Sequence, residues 1–184
     1  MAGVTFDASY TEQRNRLTSA FRIILAIPHL IVQAVWYYVI ELVAVIQWFI
    51  ILFTGKRNEG IFNFQRSWLE YYGRVSTYAW LIHDVFPPFG TDAGAVPVRT
   101  TLENDQPVNR LTNALRIIWI IPALILGIVI FIGAFFVIIA SWFAIVITGK
   151  HPRGMWDFMV KAMRYVIQLQ AYGLLMTDAY PKFG

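Results

Sequence analysis

Two stretches of this chain are almost uninterrupted apolar sequence. From Ala20 to Phe53 only Arg22 and Glu41 carry charge, and from Ile117 to Ile147 no residue does. Each stretch closes on Thr-Gly-Lys, at Thr54-Gly55-Lys56 and Thr148-Gly149-Lys150. Glycine suits the left-handed position after a helix, and lysine complements the carbonyl end. The pattern then changes. Asn63, Ser67, Glu70, Arg74 and Thr77 recur at alternating steps of four and three, as do Asp157, Lys161, Arg164 and Gln168, with Phe64, Trp68, Tyr71 and Val75, or Phe158, Met163, Tyr165 and Leu169, between them. That spacing predicts an amphipathic helix with one wet edge and a broad apolar face. A short β-capable piece, "VTF" or "VRTTL", precedes each block, and Pro87 and Pro181 stop it.

The two blocks are copies. "NRLTSAFRIILAIPHLIVQ" from Asn15 and "NRLTNALRIIWIIPALILG" from Asn109 stand 94 positions apart, and the offset holds without a gap to the end of the chain. Pro28 falls on Pro122, Trp48-Phe49 on Trp142-Phe143, Gly60 on Gly154, Tyr78 on Tyr172 and Asp84 on Asp178. Self-similarity of this kind predicts two units of one fold: residues 1–90 and 98–184, joined by a linker over 91–97. The expected class is an all-α membrane protein, a tandem repeat of helical hairpin plus interfacial amphipathic helix with minor β at the start of each repeat. The hairpins are placed at 18–54 and 112–148, the amphipathic helices at 60–83 and 154–177.

Composition makes lipid the expected surroundings. The chain is 58% hydrophobic and 14% charged, against about 25% charged in soluble domains. A chain of 184 residues cannot hide that much apolar surface inside itself. The net charge of +4 does not indicate nucleic acid, because Arg14, Arg16, Lys56, Arg57, Arg110, Lys150 and Arg153 sit at the ends of the apolar segments, where membrane proteins keep cations. Cysteine is absent, which removes any disulfide or thiolate metal site. The polar opening "MAGVTFDASYTEQRNR" is unlike a cleavable signal, so the first apolar segment is the expected insertion signal.

A straight helix of some 34 residues runs roughly 51 Å, against a hydrocarbon core of about 30 Å. Folding each stretch into a hairpin would place all the flanking cations on one, cytoplasmic, side. "WYYVIE" at the first midpoint would suit a far-interface tip. The alternative is one long tilted helix, broken at Pro28 or Pro122.

Arg16-Leu17-Thr18, Arg22, Ile27-Pro28-His29, Thr54-Gly55-Lys56, Gly60, Tyr78 and Asp84 together resemble a bacterial integral-membrane family known as domain of unknown function 4389, here in two tandem copies. The resemblance covers nearly the whole chain twice. It implies a multi-pass membrane protein with no established activity. The first copy departs from the pattern: "GKRNEG" lacks the proline of "GKHPRG", and "HDVFPPFG" replaces the Thr-Asp-x-Tyr form.

Candidate chemistry is sparse. Lys56 and Lys150 follow glycine, but a phosphate loop needs a second glycine where Ile50 and Ala144 stand. They are read as interfacial cations, with Arg57 and Arg153, at the lipid headgroups. His29, His83 and His151 face Ala123, Thr177 and Arg57 in the other copy, which is not a zinc spacing. Glu41 is either a wet residue at a hairpin tip or a polar site inside the membrane. Arg22 and Arg116 lie inside the apolar stretches. Each is expected either to pair with Asp84 or Asp178 of its own unit or to snorkel alone. No catalytic residue, metal site or cofactor is assigned.

The expectation is a non-enzymatic, multi-pass protein of the inner or plasma membrane with cytoplasmic basic ends. It would act as a scaffold, an accessory subunit of a larger complex or a membrane-shaping element. Anionic lipids are the favoured partners, a homo-oligomer or larger membrane complex the expected assembly, and nucleic acid is not a partner. The alternative is a lipid or small-solute transporter or channel acting as an oligomer.

Overall fold

Asn15 and Asn109 begin the helical run of each unit. Each side-chain oxygen accepts the amide three residues on, from Thr18 or Thr112, at 3.1 and 3.0 Å, which satisfies one of the open donors of a first helical turn. The computed structural model describes residues 3–92, 94–104 and 108–184, so Ala93 of the expected linker lies outside the described residues. Within them the order is β1 (Thr5–Ala8), α1 (Arg16–Ala20), α2 (Arg22–Thr54), α3 (Glu59–Ala79), β2 (Val98–Thr101), α4 (Arg110–Ala114), α5 (Arg116–Thr148) and α6 (Arg153–Gly173). The all-helical class, the duplication and the short strand opening each unit agree with the sequence expectation.

The turn at the middle of each apolar stretch does not. α2 and α5 are single helices of 33 residues, each about 50 Å long, and neither is interrupted at Pro28 or Pro122. The residues read as a tip do other work. Trp36 packs on Phe64 and Tyr71, and Tyr37 packs on Trp68, with ring centroids 5.4–6.1 Å apart. Gly127 and Gly133 make room for Leu169 and Phe158, which a Cβ would meet at 3.0 and 3.3 Å. The midpoints are thus helix-packing surfaces. Glu41 lies in mid-helix and not at a tip.

α2 packs against α3 and α5 against α6; α3 and α6 pack against each other, β2 lies on α3, and β1 lies on α6. The result is three layers: the long helices, the amphipathic helices, then the two-stranded antiparallel sheet. α3 and α6 are therefore sandwiched, and their broad apolar faces meet protein on two sides. The polar stripe of α3 is only partly wet. Arg74 and Thr77 are buried, Arg74 donating to the Gly90 carbonyl at 2.8 Å and Thr77 to that of Gly73 at 2.6 Å. Both helices also stop short of the expected 83 and 177, because Leu81 and Leu175 take positive φ (63° and 64°).

An approximate twofold axis relates the units. Phe6 pairs with Thr100 in the sheet, and a Cβ on Gly73 would stand 3.6 Å from Ile167; each pair consists of positions equivalent under the offset. The axis therefore passes from the sheet through the α3–α6 contact to the gap between α2 and α5. The long helices run antiparallel across it. α1 packs on α5 and α4 on α2, so each helix starts beside the end of the other.

The interlock is made by backbone. The Arg14 amide donates to the Gly149 carbonyl at 2.9 Å, and the Val108 amide to that of Gly55 at 3.1 Å. Gly55 and Gly149 have φ +72° and +74°, and a Cβ on them would stand 2.8 and 2.9 Å from Nε of Arg110 and Arg16. Gly55→Ala and Gly149→Ala are each expected to lose about 1–2 kcal/mol, measurable as a lower melting temperature of the purified protein.

Candidate functional site

The buried residues of α2 fall on one stripe: Arg22, Ala26, His29, Gln33, Ile40, Ala44, Gln47 and Ile51. α5 repeats it with Arg116, Ala123, Gly127, Ile130, Ala134, Ser141 and Ile145. The remaining circumference is exposed and apolar. Opposite the stripe stand Ile24, Ile31, Tyr38, Leu42, Phe49 and Phe53 on α2, and Ile118, Ile125, Ile132, Phe136, Phe143 and Ile147 on α5. Two such faces side by side far exceed the few hundred Å² of contiguous apolar surface a monomeric soluble protein carries. Gln33, Gln47 and Ser141 of the long helices point inward and have partners there, whereas Glu41 is exposed. Gln33 donates to Ser76 at 3.4 Å, Gln47 accepts from the Asn58 amide at 3.1 Å, and Ser141 meets His151 at 3.2 Å.

At each end of the molecule an arginine is latched. Arg22 forms an ion pair with Asp84, donates to the His83 carbonyl at 2.9 Å and lies over the Tyr78 ring at 4.2 Å. Arg116 repeats this with Asp178 at 2.6 Å, the Thr177 carbonyl at 3.1 Å and the Tyr172 ring at 4.1 Å. Pairing, and not solitary snorkelling, is thus the arrangement at both sites. The second carboxylate oxygen of Asp84 accepts the Asn15 amide at 2.8 Å, and that of Asp178 the Asn109 amide at 3.3 Å, which ties the start of each unit to its own end. The left-handed Leu81 and Leu175 turn the chain so that the following carbonyls face the arginines. Backbone strain of this kind persists only where the surroundings hold it.

A second arginine reaches each latch, from a different place. Arg57 donates to the Leu175 carbonyl at 2.6 Å and pairs with Asp178 at 2.8 Å. It is 5% exposed and belongs to the interior, so the headgroup role expected for it is not what the structure gives. Its counterpart is His151, and at that end Arg14, whose counterpart is Val108, donates to the Ile82 carbonyl at 2.6 Å. Lys56 is exposed. Lys150 and Arg153 are exposed too, but have acidic neighbours, Glu12 at 3.0 Å and Asp157 at 2.9 Å.

The histidines are packing residues. His29 Nδ1 meets the Tyr71 hydroxyl at 2.8 Å, and its ring stacks on Phe89 at 4.0 Å. His83 Nε2 lies 3.0 Å from Thr77 Oγ1. Burial first, and then the neighbouring arginines, pushes His83 and His151 down to about 4. Sequence reasoning missed the roles of Tyr78, Tyr172, Asn15 and Asn109, although all four recur at the offset. It also missed the second arginines, whose only signal is the paired exchange of Arg14 for Val108 and Arg57 for His151.

Fold and latches together define a tandem-repeat helical protein in which two helices are long and apolar enough to cross a membrane. The chain belongs to the family described as Domain of unknown function (DUF4389), whose pattern matches residues 16–90 and again 110–184. Each match runs from the first residue of α1 or α4 to the glycine that ends the unit. No curated protein and no solved structure matches the chain.

Proposed function

We propose that the protein is a non-enzymatic integral membrane scaffold that lies in one leaflet, with α2 and α5 flat in the bilayer, and loads that leaflet as a wedge. One observation carries the reading. Trp36 and Tyr37, at the middle of α2, pack on Phe64 and Trp68, and those same turns of α3 carry the exposed Arg66 and the half-exposed Glu70. A crossing that put the middle of α2 at the bilayer centre would carry that ion pair there too, and Asp157 and Lys161 with the middle of α5. Charge at that depth is costly.

Lying flat removes the conflict. With the twofold axis along the bilayer normal, both long helices reach the same depth. The charged edges and the sheet face the headgroups, and the cations at the helix ends gather at the rims, where anionic lipid attracts them. This arrangement also keeps the basic ends on one side, the feature that the hairpin was invoked to explain. The transporter reading is weaker, because Gln33, Gln47 and Ser141, inward on α2 and α5, each have a partner within the protein.

Depth measurement tests the proposal. Single nitroxides at residues 24, 31, 38 and 49, all opposite the buried stripe, are expected at one depth to within a few Å in reconstituted vesicles. A profile that rises and falls across about 15 Å, half the hydrocarbon core, would mean that α2 crosses the bilayer. One-sided loading is further expected to reduce vesicle diameter in proportion to protein content, read by electron microscopy.

A further inference from the structure

Exchange of the units maps the gap between α2 and α5 onto itself, so matching positions wall it twice. The two halves are unequal. Around Arg22, Ala79, Leu81, Ile138, Ile139 and Trp142 the space is about 170 Å³. Around the equivalent Arg116, Gly173, Leu175, Ala44, Val45 and Trp48 it is about 680 Å³, inside the range of about 300–1,000 Å³ typical of small-molecule sites. The cause is legible residue by residue. Ile138 and Ile139 become Ala44 and Val45, and Ala79 becomes Gly173. Trp80, which packs near Phe131 at 6.2 Å, becomes Leu174.

The larger cleft has an apolar floor of buried Ala44, Leu174 and Leu175, and its mouth is formed by exposed Val45, Phe49, Ile117 and Leu124 on the lipid-side layer. One acid stands in its wall. Glu41 occupies the place of Phe135 and stands in the lining with Tyr37.

We infer that this cleft binds one long hydrocarbon chain whose polar end is an amine or hydroxyl donor seated at Glu41. Apolar walls, aliphatic and aromatic, match the chain; Arg116 also lines the cleft but is buried and paired with Asp178, so the exposed Glu41 carboxylate selects a donor or cation while repelling an anionic head. The packed twin cleft, with Phe135 at the equivalent position, cannot do the same. The inference rests on the reading that the α2–α5 face meets lipid.

The test uses purified full-length protein in detergent, with hexadecylamine carrying a chain diazirine and the matching hexadecanoic acid as probes. Photolysis is expected to give saturable amine crosslinks within 37–49 and 116–124, at least ten-fold stronger than those of the acid. Ala44→Ile with Val45→Ile and Leu174→Trp, which writes the twin's residues into the cleft, is expected to abolish them. Glu41→Gln is expected to keep chain labelling but lose the preference for the amine. Trp80→Leu with Ile138→Ala is expected to create labelling on the other side of the axis, a gain that a misfolded variant cannot mimic. Crosslinks spread evenly over Ile31 and Ile125 and unchanged by filling, equal labelling by the acid, or an amine preference that survives Glu41→Gln would each overturn the inference. Labelling in detergent does not depend on how the protein sits in a bilayer, so failure here and failure of the depth profile are separate results.

Discussion

Asp178→Ala is expected to be among the most destabilising single substitutions in the chain, at about 3–5 kcal/mol, because it takes one shared carboxylate from two buried cations at once. Arg57 and Arg116 both pair with its Oδ1, and their side chains are 1% and 3% exposed. Asp84→Ala removes a carboxylate that forms a direct ion pair with Arg22 alone among the described residues, and is itself 25% exposed, so its loss is expected to be smaller. Double substitutions separate the two ends further. Arg22→Leu with Asp84→Leu removes a pair and is expected to recover most of the stability lost by either single change. Arg116→Leu with Asp178→Leu still removes the Asp178 carboxylate from Arg57, and is expected to recover less. Melting of the detergent-solubilised variants, followed by loss of the monodisperse chromatographic peak, reads these differences. At this chain length about 4 kcal/mol corresponds to a shift of roughly 10 °C. Equal losses at the two ends with full rescue at both would show that Arg57 contributes nothing to the latch.

That asymmetry marks the limit of what sequence alone could convey. The duplication is plain because the offset is free of gaps, and the cost of a charge within an apolar stretch narrows Arg22 to two arrangements, pairing with Asp84 or snorkelling alone. The course of α2 and α5 is not readable in the same way. Cations at both ends of a long apolar segment accompany a helix that folds back and one that runs on unbroken alike, and nothing local to residues 36–41 distinguishes a tip from a packing surface. What decides it is the neighbour. Phe64 and Trp68 take up the aromatics of α2, and no pattern within one helix reports which other helix lies beside it. The interlocking of the units is hidden for the same reason. Likeness of two copies says nothing about whether Arg57 of one reaches Asp178 of the other. Only the compensating exchange at 14/108 and 57/151 hints that the two ends need two arginines each.

The exchange at 57/151 leaves a neutral histidine where the other end has an arginine, and this makes the Asp84 end acid-sensitive. His83 sits within the field of Arg22, Arg14 and Asp84, and His151 within that of Arg14 and Asp84. Their folded-state values are about 4, below the value near 6.5 of an exposed histidine. Between those limits the unfolded chain binds more protons than the folded one, so stability is flat above about pH 7 and falls as pH drops from about 6.5 toward 4. At pH 5 the loss amounts to up to about 2 kcal/mol per histidine, because each proton adds charge to a buried site that already faces an arginine, Arg22 and Arg14 for His83 and Arg14 for His151. The melting temperature is accordingly expected to fall by several degrees between pH 7.5 and pH 5. In a variant carrying His83→Asn and His151→Gln most of that drop should vanish, whatever the variant's own stability at pH 7.5. Melting curves that shift in parallel for parent and variant would place the acid sensitivity elsewhere. Asp178, whose neighbours are Arg57 and Arg116, has no histidine counterpart to His83 or His151, so the same pH change is expected to leave that end engaged while the Asp84 end opens.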